Sequence, residues 1–380
     1  MKFIIKKERL IKSIQDALKA VAVRTTIPIL VGIKFDADEN GVTVTGSDSD
    51  ITIQSFIPKE DDDEELVEIV EPGSIVLQAR FFSEVIKKLP ESIVEISVED
   101  QFRTIIRSGN AEYIILGLDA EEYPRLPVIE DGDRFSIPND LLKLIIKQTV
   151  FAVSTSETRP ILTGVHWIIE DQHLTAVATD SHRLALKKAK LQSETGDGKT
   201  YSLVIPGKSL NELLKVLDDS NEPVEIIITN NQILFKAKNF LFFSRLLEGK
   251  YPDTSKLIPT DSKTTVKLNA KEYLEAVDRA SLLAREAKNN VIKFSTMADG
   301  AIEISSYSPE IGKVVENVKS LSTEGEEIKI SFNAKYMIDA LRAIDGTEVS
   351  IYFTGTMRPF IIRTEHDSSI LQLLLPVRTF

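Results

Sequence analysis

The segment Asp180-Ser181-His182-Arg183 sets an acid, a hydroxyl and an imidazole side by side. Those are the functional groups of a nucleophilic hydrolase. Neighbours in one turn seldom face one another as a triad requires, because triad members come from distant segments. On these residues alone three uses stay open: a hydrolase working through Asp180 and His182, a plain loop at a strand end, and part of a binding surface. Other signatures of chemistry are missing. No G-x-S-x-G elbow, Walker loop, G-x-G-x-x-G turn or H-E-x-x-H pair occurs, so neither a nucleophile elbow nor a phosphate cradle is expected. The four histidines, His166, His173, His182 and His366, lack metal-ligand spacing. Cysteine is absent, which removes disulfides, zinc–thiolate sites, iron–sulfur clusters and thiol nucleophiles, and suits a reducing cytoplasm. These residues signal no metal or cofactor, and a catalytic role rests on Asp180 and His182 alone.

A second set of residues bears charge at matching places. Arg80, Lys208 and Lys335 share one aligned position, and Lys87, Lys215 and Arg342 another, seven residues on. Seven residues make about two helical turns, so each pair shares a face. Lys12 and Lys19 have the same spacing, and Lys143 and Lys147 lie one turn apart. Two readings follow. Glu84, Glu212 and Asp339 sit four residues after the first base, which suits exposed intrahelical pairs. Taken as a set, the bases suit a basic surface assembled from six helices inside an acidic body. The net charge is −12, which disfavours a grip on nucleic acid by general electrostatics. Most of the net negative charge lies in the first 130 residues, above all in Glu60-Asp61-Asp62-Asp63-Glu64-Glu65 with Glu68 and Glu71. Such a run repels itself and predicts a solvated loop.

The elements that must position these groups recur. Ile5, Ile137 and Leu268 align, followed by Leu10, Leu142 and Tyr273, by Ile14, Ile146 and Val277, and by Ala17, Thr149 and Ala280. Later, Phe82, Leu210 and Met337 align, with Ile86, Leu214 and Leu341, then Leu89, Leu217 and Ile344. Pro28-Ile29-Leu30 recurs as Pro160-Ile161-Leu162, Asp48 as Asp180, and Tyr123-Pro124 as Tyr251-Pro252. The period is near 130 residues, the size of a domain rather than of a solenoid repeat. Each unit has two halves that read as strand, helix, then strands. The first helix carries Leu10, Ile14, Leu18 and Val21 on one stripe, the second Phe82, Ile86 and Leu89. Alternating runs such as Val42-Val44-Gly46, Val94-Ile96-Val98 and Ile302-Ile304 read as strands. Glu39-Asn40-Gly41, Asp131-Gly132, Gly196-Asp197-Gly198 and Asp299-Gly300 read as turns.

The fold class is therefore α+β. Three similar domains are expected at 1–129, 130–257 and 258–380, each with two helices on mostly antiparallel sheet. The length of 380 residues agrees, at roughly 100–200 residues per domain. The N-terminus MKFIIKKERL has no export-signal pattern, and no run approaches the ~18 apolar residues of a membrane span. The ending Leu371-Gln372-Leu373-Leu374-Leu375-Pro376-Val377-Arg378 is apolar for a terminus, where chains usually fray. It suits a docked strand, or an apolar wall that reaches the surface beside Pro376.

Together Ala178-Thr179-Asp180-Ser181-His182-Arg183-Leu184-Ala185, Gly117-Leu118-Asp119 through Tyr123-Pro124, Pro28-Ile29-Leu30 and Leu375-Pro376-Val377-Arg378 resemble the bacterial DNA polymerase III beta subunit family, the replication sliding clamps, over the whole chain. The resemblance implies a clamp fold and a head-to-tail homodimer whose six domains form a ring, helices inside and sheets outside. It implies a non-enzymatic processivity factor, cytoplasmic and without a membrane role. The ring would encircle duplex DNA by topology, without regard to sequence. Few phosphate contacts would then be needed, which permits sliding. The implied partners are the DNA polymerase III alpha subunit, the clamp loader, other polymerases and repair proteins, each offering a short, partly apolar peptide. By resemblance its cleft is Leu162, Thr179, His182, Arg183, Leu184, Pro252, Leu257, Leu375, Pro376, Val377 and Arg378, with His182 and Arg183 orienting the peptide's polar groups. Lys256 stands where the family often has arginine, an unequal donor, and Thr379-Phe380 extend the rim. Arg24 matches a DNA-facing position, and Tyr113 and Ile115 would meet Leu282 and Leu283 across the dimer interface. The repeat adds Lys12, Arg80, Lys208 and Lys335 to the DNA-facing set. The competing readings are a repeat scaffold with no DNA role and the hydrolase using Asp180 and His182.

Overall fold

The computed structural model describes residues 1–125, 132–191, 200–287 and 290–378. Asp131, the Gly196-Asp197-Gly198 turn and Thr379-Phe380 lie outside the described residues.

The chain passes three times through nearly the same order of elements. The first third holds β1 (Lys2–Lys6), α1 (Lys7–Leu18), β2 (Gly32–Asp38), β3 (Gly41–Ser47), β4 (Ile51–Pro58), β5 (Glu60–Asp61), β6 (Glu64–Glu65), β7 (Val67–Glu71), β8 (Gly73–Gln78), α2 (Ala79–Lys88), β9 (Ile93–Val98), β10 (Arg103–Ser108) and β11 (Ala111–Leu116). The middle holds β12 (Asp133–Pro138), α3 (Asn139–Thr149), β13 (Gly164–Glu170), β14 (His173–Thr179), β15 (Arg183–Lys190), β16 (Tyr201–Pro206), α4 (Gly207–Val216), β17 (Pro223–Ile228), β18 (Gln232–Ala237) and β19 (Phe240–Arg245). The last third holds β20 (Thr264–Asn269), α5 (Ala270–Glu286), β21 (Val291–Thr296), β22 (Ala301–Ser308), β23 (Gly312–Gly325), β24 (Lys329–Asn333), α6 (Ala334–Ala343), β25 (Glu348–Phe353), β26 (Phe360–Arg363) and β27 (Ile370–Leu374).

Each half of a domain does read as strand, helix, strands, yet the sheets do not follow the halves. The leading strand of one half joins the other half's sheet. Thus β1 lies beside β9, in the order β11-β10-β9-β1-β7, while β8 lies beside β2. The same exchange gives β16-β13-β14-β15 and β12-β17-β18-β19, then β24-β21-β22-β23 and β20-β25-β26-β27. Alternation fixes which face of a strand is buried, not which distant strand lies beside it.

Two compact units result. One contains Met1–Asp140 with Asn211–Leu246, the other Leu141–Leu210 with Leu247–Phe380. In the first, β19 pairs antiparallel with β4, with Phe240 opposite Ser55 and Phe242 opposite Ile53, which makes one eight-stranded sheet. In the second, β15 pairs antiparallel with β27, with Arg183 opposite Leu374 and Leu184 opposite Leu373, within a twelve-stranded sheet.

Helical periodicity places the cores. Leu10, Ile14 and Ala17 on α1, Leu142, Ile146 and Thr149 on α3, and Tyr273, Val277 and Ala280 on α5 are all fully buried. At each position a side chain removed from water stabilises by about 25 cal/mol per Å² of apolar surface. The α1 stripe ends sooner than its pattern predicts. The helix stops at Leu18, and Val21 lies beyond it, partly buried against the same core. There β3 comes close to α1: a Cβ built on Gly46 would lie 2.2 Å from the Ala17 carbonyl oxygen. Asn269 and Asn333 cap α5 and α6, their side-chain oxygens accepting from the amides of Glu272 and Tyr336.

The acidic run is solvated, as its charge predicts, but it is a hairpin rather than a loop. Glu60-Asp61 and Glu64-Glu65 form a two-stranded hairpin. Its turn residues Asp62 and Asp63 have φ of 50° and 63°, the left-handed pair that a two-residue hairpin turn demands and that Asp tolerates. Bases offset the repulsion: Lys238 meets Asp61 at 2.9 Å, and Lys6 bonds Glu64. Both carboxylates are held below their ordinary range, chiefly by those lysine hydrogen bonds.

Candidate functional site

Thr179 ends β14 and Arg183 opens β15, and the three residues between them reverse the chain. The reversal needs a left-handed residue, and Ser181 supplies it with φ 76°. Thr179 Oγ1 donates to the Arg183 carbonyl at 2.6 Å and accepts the Ser181 amide at 3.1 Å. Asp180 Oδ1 accepts the amides of His182 and Arg183 at 2.9 and 3.0 Å, and Oδ2 accepts Arg183 Nε at 3.0 Å. The carboxylate thus braces the turn and the guanidinium. It makes no triad-type bond to the His182 imidazole, and His182 is exposed.

Arg183 differs from expectation. It is only 8% exposed, so its donors face inward rather than toward a ligand. Nη1 donates to Asp339 Oδ2 at 2.7 Å and Nη2 to the Phe151 carbonyl at 2.6 Å. The guanidinium lies 4.4 Å from the Tyr336 ring centroid and 5.4 Å from that of Phe151. A buried charge is tolerated when paired and hydrogen-bonded, and each of the three guanidinium nitrogens of Arg183 has a partner. Its contribution to the site is to hold the turn from beneath.

Two small apolar clusters flank the turn. Leu162 packs with Val204 and Tyr251, joined by Ile161 and Leu247. The Tyr251 hydroxyl accepts the Thr179 amide at 3.1 Å, which links this cluster to the turn. Behind it the His166 ring stacks on Tyr251, centroids 4.8 Å apart and planes 28° off parallel, and His166 Nε2 lies 2.8 Å from Ser202 Oγ. Burial pushes the His166 pKa down and that of Tyr251 up. On the other side Leu184 packs with Val177, Ile361, Leu371 and Leu373, with Leu375 and Ile258 against them. The apolar ending is therefore a docked strand, β27, that continues along the site. The Leu375 amide donates to the His182 carbonyl at 2.9 Å, and the Val377 amide to that of Ser331 at 2.7 Å. Leu375, Pro376 and Val377 stay half-buried, while Arg378, Pro252 and Leu257 are exposed. Lys256 projects into solvent, 3.5 Å from Asp253. All of these residues belong to the second unit.

The same turn recurs in the first unit. Asp48 Oδ1 accepts the amides of Asp50 and Ile51 at 3.1 and 2.8 Å, Ser49 has φ 80°, and the Ser49 amide donates to Ser47 Oγ at 3.2 Å. Leu30, Val76 and Tyr123 cluster beside it, in the places of Leu162, Val204 and Tyr251. The frame is therefore architecture common to both copies. What distinguishes the second copy is His182 and Arg183 in place of Asp50 and Ile51.

Of the remaining sequence-chosen residues, Lys12, Arg24, Arg80, Lys208 and Lys335 are all exposed. Intrahelical pairing is real beside them: Lys87 with Glu84 at 3.2 Å, Lys215 with Glu212 at 2.8 Å, and Lys335 with Asp339 at 2.6 Å. Tyr113, 40% exposed, and half-buried Ile115 lie on β11; Leu282, 59% exposed, and half-buried Leu283 lie on α5. Among the described residues no group of His, Asp and Glu is placed to hold a metal ion, and no helix is long and apolar enough to cross a membrane.

Models of the DNA polymerase III beta subunit match the chain in order: the N-terminal domain over residues 1–127, the central domain over 136–253 and the C-terminal domain over 255–378. The chain belongs to the DNA polymerase III beta subunit family. It is 63% identical to the beta sliding clamp of Bacillus subtilis (strain 168) over 380 residues, all of both chains. The crystal structure of the Bacillus subtilis DNA polymerase sliding clamp matches with a TM-score of 0.96, and that of the Streptococcus pneumoniae TIGR4 beta chain with 0.94 at 39% identity, each covering all of both chains. The three-domain clamp fold and the role of processivity factor follow from that membership.

Sequence reasoning passed over Phe151, His166, Tyr336 and Asp339 as parts of the site. Asp339 was read only as an intrahelical partner. For Tyr251 a signal did exist, in the recurrence of Tyr123-Pro124 as Tyr251-Pro252.

Proposed function

We propose that two copies of the chain close head to tail into a ring that encircles duplex DNA and tethers the replicative polymerase, acting without catalysis in the cytoplasm. The observation that carries this reading is the tiling of the chain by the three clamp-domain models in order. The domains proposed are 1–129, 130–257 and 258–380. Lys12, Arg24, Arg80, Lys208 and Lys335 would face DNA. An overall charge of −12 suits a ring that holds DNA by enclosure, since each tight phosphate contact would add salt-sensitive drag.

The strand pattern supports the dimer. β4 pairs with β19 and β15 with β27, in each case an outermost strand of one four-stranded set against an outermost strand of another. By position in the repeat β23 and β11 are the remaining strands of those two kinds; Ser320–Gly325 of β23 pairs with β20, and Gly312–Lys319 pairs with β22. β11 is a sheet edge on which Tyr113, Ile114 and Leu116 are 40%, 48% and 77% exposed. An open apolar edge is a template for another strand. The interface then takes in Tyr113 and Ile115 from one copy and Leu282 and Leu283 from the other.

The cleft formed by Leu162, Thr179, His182, Leu184, Pro252, Leu257, Leu375, Pro376, Val377 and Arg378, on the frame that Arg183 holds, would take a short, partly apolar peptide. Its apolar clusters would bury peptide side chains, with exposed His182 and Arg378 for polar groups. The donors of that peptide are the DNA polymerase III alpha subunit, the clamp loader, other polymerases and repair proteins.

The test is retention on circular DNA at high salt after loading by the cognate clamp loader. Retention on a nicked circle and loss from the linearised form establishes topological linkage. Equal, salt-sensitive loss from both refutes it and returns the scaffold reading.

A further inference from the structure

The carboxylate of Asp339 touches two groups that the proposed function sets to different tasks. Its Oδ2 accepts Arg183 Nη1 at 2.7 Å and Lys335 Nζ at 2.6 Å. Arg183 is buried and holds the cleft turn through Asp180. The Lys335 side chain is 65% exposed and opens α6, the helix that carries Asp339 in its middle. One oxygen therefore divides its negative charge between a cleft-bracing guanidinium and an ammonium that is free to meet a phosphate. Arg183 has few alternatives. Its stacking partner Tyr336 sits on the same helix, its other donors are committed to Asp180 and the Phe151 carbonyl, and burial denies it water.

We propose that Asp339 is a positioning residue for the cleft, and that through this shared oxygen the cleft responds to phosphate bound at Lys335. The inference rests on the clamp reading above. A DNA phosphate near Lys335 competes with Asp339 for the ammonium. When Lys335 turns to the phosphate, the Asp339 oxygen serves Arg183 alone, and charge-assisted hydrogen bonds strengthen as competing donors leave. The guanidinium is then held harder, the Asp180-Ser181-His182 turn is better organised, and a peptide loses less on ordering it. Linkage makes the effect mutual: a bound peptide favours DNA at Lys335 by the same factor. The polymerase peptide would thus bind a DNA-loaded ring more tightly than a free one.

The experiment uses the full-length protein and overlapping fluorescein-labelled peptides tiled along the cognate alpha subunit. The tightest binder is titrated by fluorescence polarisation with and without saturating short blunt duplex. Wild type is expected to bind peptide about threefold or more tightly with DNA, a modest coupling on the usual scale. Lys335→Ala is expected to bind tightly in both states, and Asp339→Asn weakly in both, each with a ratio near one. A merely structural Asp339 would weaken binding but leave the DNA-dependent ratio intact. An unchanged ratio in Asp339→Asn overturns the proposal, as does a wild-type ratio of one when peptide and duplex each bind. If no tiled peptide binds wild type at all, the cleft reading fails first, and this inference falls with it.

Discussion

The Thr179 amide donates to the Tyr251 hydroxyl across 3.1 Å, and both residues are buried. Thr179 closes β14 at the cleft turn, while Tyr251 lies 72 positions later and carries Pro252 beside it. This one bond ties the cluster around Leu162 to the turn that presents His182. With the Leu375–His182 and Arg183–Asp339 contacts, it fixes the cleft on three sides.

Tyr251→Phe tests that bond. The ring would still stack on His166, but the Thr179 amide would lose its acceptor. A buried, unpaired donor costs about 1–3 kcal/mol. Urea unfolding is expected to show a loss of that order, and peptide affinity should fall with it. Unchanged stability would mean that water replaces the hydroxyl and that the tie is dispensable.

Ser181 gives a conformational test of the same turn. Its φ of 76° lies in the left-handed region, where a side chain branched at Cβ is penalised and glycine is not. Ser181→Gly should keep peptide binding and unfold at nearly the wild-type midpoint. Ser181→Val should cost about 1–3 kcal/mol and weaken the peptide. Equal behaviour of the two variants would show that the turn relaxes freely.

Much of the architecture was legible because it is periodic. Leu10, Leu142 and Tyr273 fall on one helical position in three copies, and all three are buried. The exchange of β1 and β8 between sheets was not legible, because strand partnership is non-local and leaves no mark within the strand itself. The site divides in the same way. Thr179 through Leu184 stand out as a continuous segment, and the apolar ending does too. The inward turn of Arg183 depends on Asp339, 156 residues away, and on the rings of Tyr336 and Phe151. Nothing near Arg183 in sequence announces a buried guanidinium. The acidic hairpin escaped notice for a related reason: its bases Lys6 and Lys238 are remote in the chain.

His166 predicts a pH dependence. Burial lowers its pKa below the ordinary histidine value of about 6.5. The unfolded chain therefore takes up the proton first as pH falls. The stability contributed by neutral His166 is complete above about pH 6.5 and is lost as pH drops through the lower, folded value. Urea midpoints measured from about pH 7.5 down to about pH 5 should fall for wild type. His166→Phe, which keeps a ring against Tyr251, should flatten that slope. An identical slope in the variant would assign the effect to other groups.

The dimer interface can be tested without disturbing the isolated chain. Leu282 is 59% exposed on α5, so Leu282→Asp places a charge in water and should leave the fold intact by circular dichroism. In the proposed dimer the same carboxylate would be buried against Tyr113 and Ile115 of the second copy. The bases one turn away on α5 are already engaged, Arg279 with Glu316 and Arg285 with Ser281. An uncompensated buried charge costs about 3–5 kcal/mol, enough to raise the dissociation constant by a factor of roughly a hundred or more. Sedimentation velocity should then show folded monomers where wild type shows dimers. The variant should also be lost from circular DNA at high salt, because an open chain cannot be linked to a circle. A variant that still sediments as a dimer would place the contact elsewhere on the chain and remove Leu282 from it.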